Sequence, residues 1–145
     1  MTQLRGLVLP KFFIYYDSPV KLVETQDGGV AGWRMSADTG GWQPANDLID
    51  KLLFVGGDEI HQISRDEFVW RTEQDRGRNL TGEEAVYALY ETVRALEETI
   101  RQERRYPTPH EQALIAGIRR RTFVLFEEQL RQAGDPGADP TIATS

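Results

Sequence analysis

Histidine and carboxylate are the residue types from which this sequence could most directly build acid–base chemistry. His61 stands between two acidic pairs, Asp58–Glu59 and Asp66–Glu67. An imidazole beside carboxylates moves protons near neutral pH, as in a small hydrolase, with or without a divalent metal. The same residues also have a structural explanation. Glu67 falls three positions after Ser64 and closes a helix capping box, while Asp58 and Glu59 follow Gly56–Gly57 in a polar turn. The second histidine, His110, is distant in sequence, and neither histidine sits in an HExxH spacing. The chain contains no GxSxG elbow, P-loop or GxGxxG. It has no cysteine, which excludes thiolate catalysis, disulfides and Cys-ligated metal centres. No motif calls for a cofactor or a metal.

Binding chemistry is the other reading. The basic clusters are Arg104–Arg105 and Arg119–Arg120–Arg121. Paired with Glu97, Glu98, Glu103 and Glu111 they are ordinary helix-surface charges; unpaired, they form a patch for an anion or an acidic partner. The aromatics Tyr15, Tyr16, Trp33, Trp42 and Trp70 are numerous for one small sheet face. Trp42, within Gly40-Gly41-Trp42-Gln43-Pro44, is expected to be partly exposed, and an exposed Trp near Arg is a typical interface anchor. Trp42, Arg119, Arg120 and Phe123 are therefore the candidate interface residues.

Composition narrows the class. The 145 residues carry a net charge of −6, and 14 of the 17 basic residues are Arg. Acidic balance argues against nucleic-acid binding, whose non-specific part comes from neutralising phosphates. No apolar run approaches the ~18 residues of a membrane helix, and the N-terminus lacks the pattern of a secretory signal. The expected location is the cytoplasm, with no membrane partner.

The elements that must position these residues change character near Asn79. Phe12 to Tyr16 reads as a strand apolar enough to be covered on both faces. Asp17-Ser18-Pro19 reads as a turn, Val20 to Thr25 as a second strand, and Asp27-Gly28-Gly29 as a tight reversal. Val30 to Ser36 is a third strand, with Ala31, Trp33 and Met35 on one face and Val30, Gly32 and Arg34 on the other. A short helix capped by Asn46 or Asp47 should reach Phe54 and end at Gly56–Gly57. Glu59 to Ile63 is a fourth strand, and Ser64 caps a helix running to about Arg76. Two long helices follow. The first, from a Thr81 capping box to about Arg105, has the stripe Val86, Leu89, Val93, Leu96 and Ile100 in 3-4 spacing. The second starts at Thr108-Pro109 and runs to about Gln132, with an apolar face of Leu114, Ile118, Leu125 and Phe126, widened by Ile115, Phe123 and Leu130.

The expectation is thus a single α+β domain over residues 1–134. An antiparallel meander of three to four strands with short helices precedes a C-terminal antiparallel helical hairpin, and residues 135–145 form a disordered tail. The wide face of the second helix is either covered by the sheet, giving a monomer, or shared across a homodimer interface rimmed by Arg119–Arg121 and Glu127–Glu128. In size, charge and lack of a catalytic signature the chain resembles the small acidic α+β proteins that bacteria use as antitoxins, immunity proteins or adaptors. That resemblance implies a non-enzymatic protein-binding module acting on a basic partner. The small hydrolase using scattered Asp, Glu and His is the alternative.

Overall fold

A computed structural model describes residues 7–144. Its N-terminal part is a five-stranded antiparallel sheet in the order β4-β3-β2-β1-β5. The strands are β1 (Lys11–Tyr15), β2 (Ser18–Glu24), β3 (Val30–Met35), β4 (Trp42–Pro44) and β5 (Ile60–Ile63). Three helices follow, α1 (Arg65–Asn79), α2 (Ala85–Gln102) and α3 (Pro109–Gln132), so the fold class is α+β as expected.

The pleat of β1 explains why its apolar run is continuous. Phe12 joins one core with Met35, Trp42, Phe68, Val69, Phe123 and Ile142. Phe13 faces the other way, with Val20, Leu22 and Leu52. Helices α1 and α3 cover the first face. The second is covered by a short helical segment, a 3-10 turn Asn46–Leu48 leading into a π-helical turn Lys51–Val55. Asn46 does not cap it: its Oδ1 accepts a hydrogen bond from the Gly32 N–H at 2.8 Å, fastening the segment to β3.

The β1–β2 connection is tighter than the expected Asp17-Ser18-Pro19 turn. Tyr16 and Asp17 make a two-residue hairpin with φ of 44° and 64°, and Ser18 already belongs to β2. Both positive φ values match a type I′ turn, which normally takes Asn-Gly. A tyrosine in this region is strained.

Two of the three capping boxes form. Ser64 with Glu67 starts α1, and Thr108 with Glu111 starts α3, with Pro109 at the first helical position. The Thr81 box does not form; α2 starts at Ala85 after an uncapped Glu84. Its buried stripe is Val86, Tyr90, Val93 and Ile100, while Leu89 and Leu96 are only half-buried. The stripe is therefore turned from the 3-4 seam by the insertion of Tyr90. Helices α2 and α3 run antiparallel: Val86 packs in a cluster with Phe126 and Leu130, and Glu97 pairs with Arg119.

Residues 135–144 are not a disordered tail. The chain folds back so that Ile142 is 2% exposed and a 3-10 turn, Pro140–Ala143, packs against α3 and α1. Gly137 makes this approach feasible. A Cβ there would lie 2.5 Å from Trp42 Cβ and 2.8 Å from Trp33 Cε3.

Candidate functional site

The core-facing stripes of α1 and α3 carry charge. On α1, Glu73 and Arg76 share the face of Phe68, Val69 and Thr72; on α3, Glu127 follows Phe123 and Phe126. Lys21 occupies an inward position of β2, beside Phe12 and Trp33 in the register. All four are at most 1% exposed.

Their survival in the core depends on mutual satisfaction. Arg76 Nη1 donates to Glu73 at 2.9 Å and Nη2 to Glu127 at 2.5 Å. Its Nε and Nη2 also donate to the Gly40 carbonyl at 3.1 and 2.8 Å. Tyr90 Oη donates to Glu73 at 2.7 Å. Glu127 further accepts from Trp42 Nε1 at 2.9 Å and from the Asp139 N–H at 2.9 Å. Lys21 Nζ donates to the Gly137 carbonyl, sits 4.0 Å from Glu127 and lies 4.4 Å from the Trp42 ring centroid. One network thus ties β2, β4, α1, α2, α3 and the C-terminal segment together. Burial pushes the Glu73 carboxyl upward against the pull of Arg76 and Tyr90. The same burial, together with Glu73, pushes the Tyr90 phenol upward.

Lys21 gives this network a testable pH signature. Burial pushes its ammonium down to about 8 from 10.5, with Glu127 and Asp139 opposing the shift. A lysine with a lowered folded pKa holds its proton more weakly when folded. Its charge therefore opposes folding below pH 8, and the penalty fades as pH rises towards 10.5. At roughly 1.4 kcal/mol per unit, the full effect is about 3 kcal/mol. Urea midpoints between pH 8 and pH 10 should rise for the wild type relative to Lys21→Met, which lacks the titrating group. Parallel pH profiles for the two proteins would contradict the assignment.

The predicted interface residues fall in different places. Trp42 is not partly exposed: it is buried, because its indole N–H is held by Glu127 and Gly137 closes over it. Phe123 is 0% exposed in the main core, against Phe68. It is unavailable to a subunit interface, as is the fully buried Glu127, whereas Arg120, Arg121 and Glu128 of the expected rim are exposed. Arg119 is 5% exposed; its guanidinium stacks 3.9 Å above the Trp70 ring and donates to Glu97 at 3.3 Å. Arg105 follows the ion-pair reading, forked onto Glu111 and joined to Glu103. His61, on edge strand β5, and His110 are both exposed. Glu67 is used by its cap and Glu59 by Lys51 at 2.9 Å. Among the described residues no group of three His, Asp or Glu is arranged to hold a metal ion. Among the described residues no helix is long and apolar enough to cross a membrane either.

Large apolar side chains are exposed singly at Val8, Trp70, Tyr106 and Leu114, and together at one end of the sheet. Tyr16 at the β1–β2 turn is 62% exposed, and Phe54 and Val55 on the short helix are 68% and 75% exposed. Local contacts bring these two elements to one end of the sheet. The Tyr16 N–H donates to the Glu59 carbonyl at 3.2 Å, and Lys51, from the Phe54 helix, binds Glu59 and lies 5.4 Å from the Tyr15 ring centroid. The Tyr15 and Tyr16 rings meet edge to face at 4.7 Å. Asp17, Asp50 and Asp58 are exposed on the same segments. Of their basic neighbours, Lys51 pairs with Glu59 and Arg71 with Asp17 and Asp75, while Arg34 donates to Ser18 and lies 5.1 Å from the Tyr15 ring centroid.

This end was missed in the sequence, although Phe54–Val55 directly before Gly56–Gly57 was a readable signal: apolar residues at a helix terminus have few neighbours to bury them. Comparison with known protein families, with curated proteins and with solved structures finds no match to this chain.

Proposed function

We propose that the protein is a non-catalytic binding module that docks a basic protein partner on the Tyr16–Phe54–Val55 end of its sheet. The observation that carries this reading is the pairing of three exposed large apolar side chains with a rim of exposed carboxylates. Apolar anchors inside a polar rim are the anatomy of a protein interface. The rim and the net charge of −6 select a partner of opposite sign. Tyr16 adds a second support, since a strained positive-φ residue with its ring in solvent is kept where it serves a contact. The antitoxin-, immunity- or adaptor-like role belongs to this reading, and the chemistry of the site gives no support to the hydrolase alternative.

The test is capture from native lysate on the immobilised protein. A basic partner should be held by the wild type and weakened by raising salt from about 50 to about 300 mM, where screening lengths shorten. The double variant Phe54→Ser/Val55→Ser should lose it by at least about tenfold, the equivalent of ~1.4 kcal/mol. Equal retention by the folded double variant, or capture of acidic proteins alone, would reject the proposal.

A further inference from the structure

A cavity of about 270 Å³ lies between α1, α2 and α3. Its lining includes four arginines, Arg78, Arg94, Arg101 and Arg119, with Glu97 and Glu98 beside them. Glu73 and Tyr90 also contribute, but both belong to the buried network and Glu73 is neutralised by Arg76. Matching the remaining charges leaves an excess. Arg101 is paired with Glu98 and Arg119 Nη2 with Glu97. Arg94 donates only to the Gly77 carbonyl, at 2.7 Å, and Arg78 has no ion pair among the described residues. Two guanidinium groups on the wall, those of Arg78 and Arg94, are thus in no ion pair among the described residues, although Asp75 feels the charge of Arg78.

Arg119 adds the second observation. It is 95% withdrawn from solvent, and its Nη1 is buried with no hydrogen-bond partner. A buried donor on a charged group left unsatisfied is costly, and native structures rarely keep one without use. The Trp70 ring and Glu97 fix the plane of this guanidinium. Burial lowers the pKa of Arg119, and the charge of Arg78 adds to that lowering. An anion in the cavity would offset the positive charge of Arg78 that bears on Arg119.

We propose that this cavity binds a small phosphorylated ligand, whose phosphoryl group is taken by the exposed Arg94 and Arg78, with the charge of Arg119 behind them. Guanidinium forks match tetrahedral oxyanions, and two such groups outside any ion pair match a phosphoryl dianion better than a monocarboxylate. The volume accommodates a phosphate with a small organic remainder and is too small for a nucleic-acid strand.

Isothermal titration of the full chain with inorganic phosphate and with O-phosphoserine, against acetate as monoanion control, tests this. Both phosphates should bind saturably and raise the melting temperature, and acetate should not. Tighter phosphoserine identifies a monoester as the ligand, and equal affinity identifies free phosphate. The exposed Arg94→Gln and Arg78→Gln variants should each weaken phosphate roughly tenfold, as expected for a lost charge-assisted hydrogen bond. Arg121→Gln, outside the cavity, should leave affinity unchanged. Absence of saturable phosphate binding, or equal affinities in Arg94→Gln, Arg78→Gln and Arg121→Gln, overturns the proposal.

Discussion

Arg76→Met should destabilise the protein by about 3–5 kcal/mol, the range for removing one partner of a buried ionic group. Arg76 lies between Glu73 and Glu127, both fully buried, and also supports the Gly40 carbonyl. Methionine would fill much of the space against Phe126, whose ring centroid is 4.2 Å from the guanidinium, so the loss is not mainly a cavity. It is electrostatic: two carboxylates would remain in a dry core with Tyr90, Trp42 and Lys21 as their remaining support. A loss of this size is a large fraction of the 5–15 kcal/mol that holds a typical domain together. Urea unfolding followed by circular dichroism measures it. The triple variant Arg76→Met/Glu73→Gln/Glu127→Gln, which removes the stranded charges, should recover a substantial part of the loss. A single variant within 1 kcal/mol of wild type would show that the network contributes little.

Ending the chain after Asp135 should cost about 3 kcal/mol or more. Ile142 alone is worth roughly 1.5–3 kcal/mol of burial. Truncation also removes the Gly137 carbonyl from Lys21, and the Asp139 N–H from Glu127. Lys21 would then be an ammonium without its hydrogen-bond acceptor, left with Glu127 at 4.0 Å, the Trp42 ring and the charge of Asp135. Near-ultraviolet circular dichroism should lose intensity, because Trp33 and Trp42 both lie under Gly137. The control is Thr144→Ala, at an exposed position, which should be silent. A truncated protein with the wild-type urea midpoint would show that these residues pack without contributing.

The elements were legible where local chemistry decides them. Ser64 and Thr108 declared their helices because a hydroxyl and a glutamate three residues apart satisfy each other without outside help. The alternation in β3 placed Trp33 and Met35 together, and the structure keeps them on one face. Thr81 misled for the complementary reason: the same spacing was present, yet the helix begins at Ala85. Long-range pairing was not legible. Trp42 looked exposed because its glycine-rich neighbours suggested a loop; its burial depends on Glu127 and Gly137, about ninety residues onward. Glu127 read as a rim charge, since only its helical phase with Phe123 and Phe126 marks it as inward, and Glu73 and Arg76 likewise share the phase of Phe68. The Pro- and Gly-rich composition of residues 135–144 suggested disorder, whereas glycine and proline there permit a close approach to two tryptophans.

The Lys21–Gly137 contact spans 116 residues of sequence. Its consequence concerns synthesis. During translation β2 is made early, with a lysine aimed at a core that does not yet exist. The apolar floor around it closes at a cost while that ammonium lacks its hydrogen-bond acceptor, and the acceptor comes only when residue 137 has been added. Until then the nascent sheet carries a charged residue on its inner face, which keeps that face hydrated and discourages premature pairing with other chains. Completion of the core is in this way coupled to production of residues 137–142.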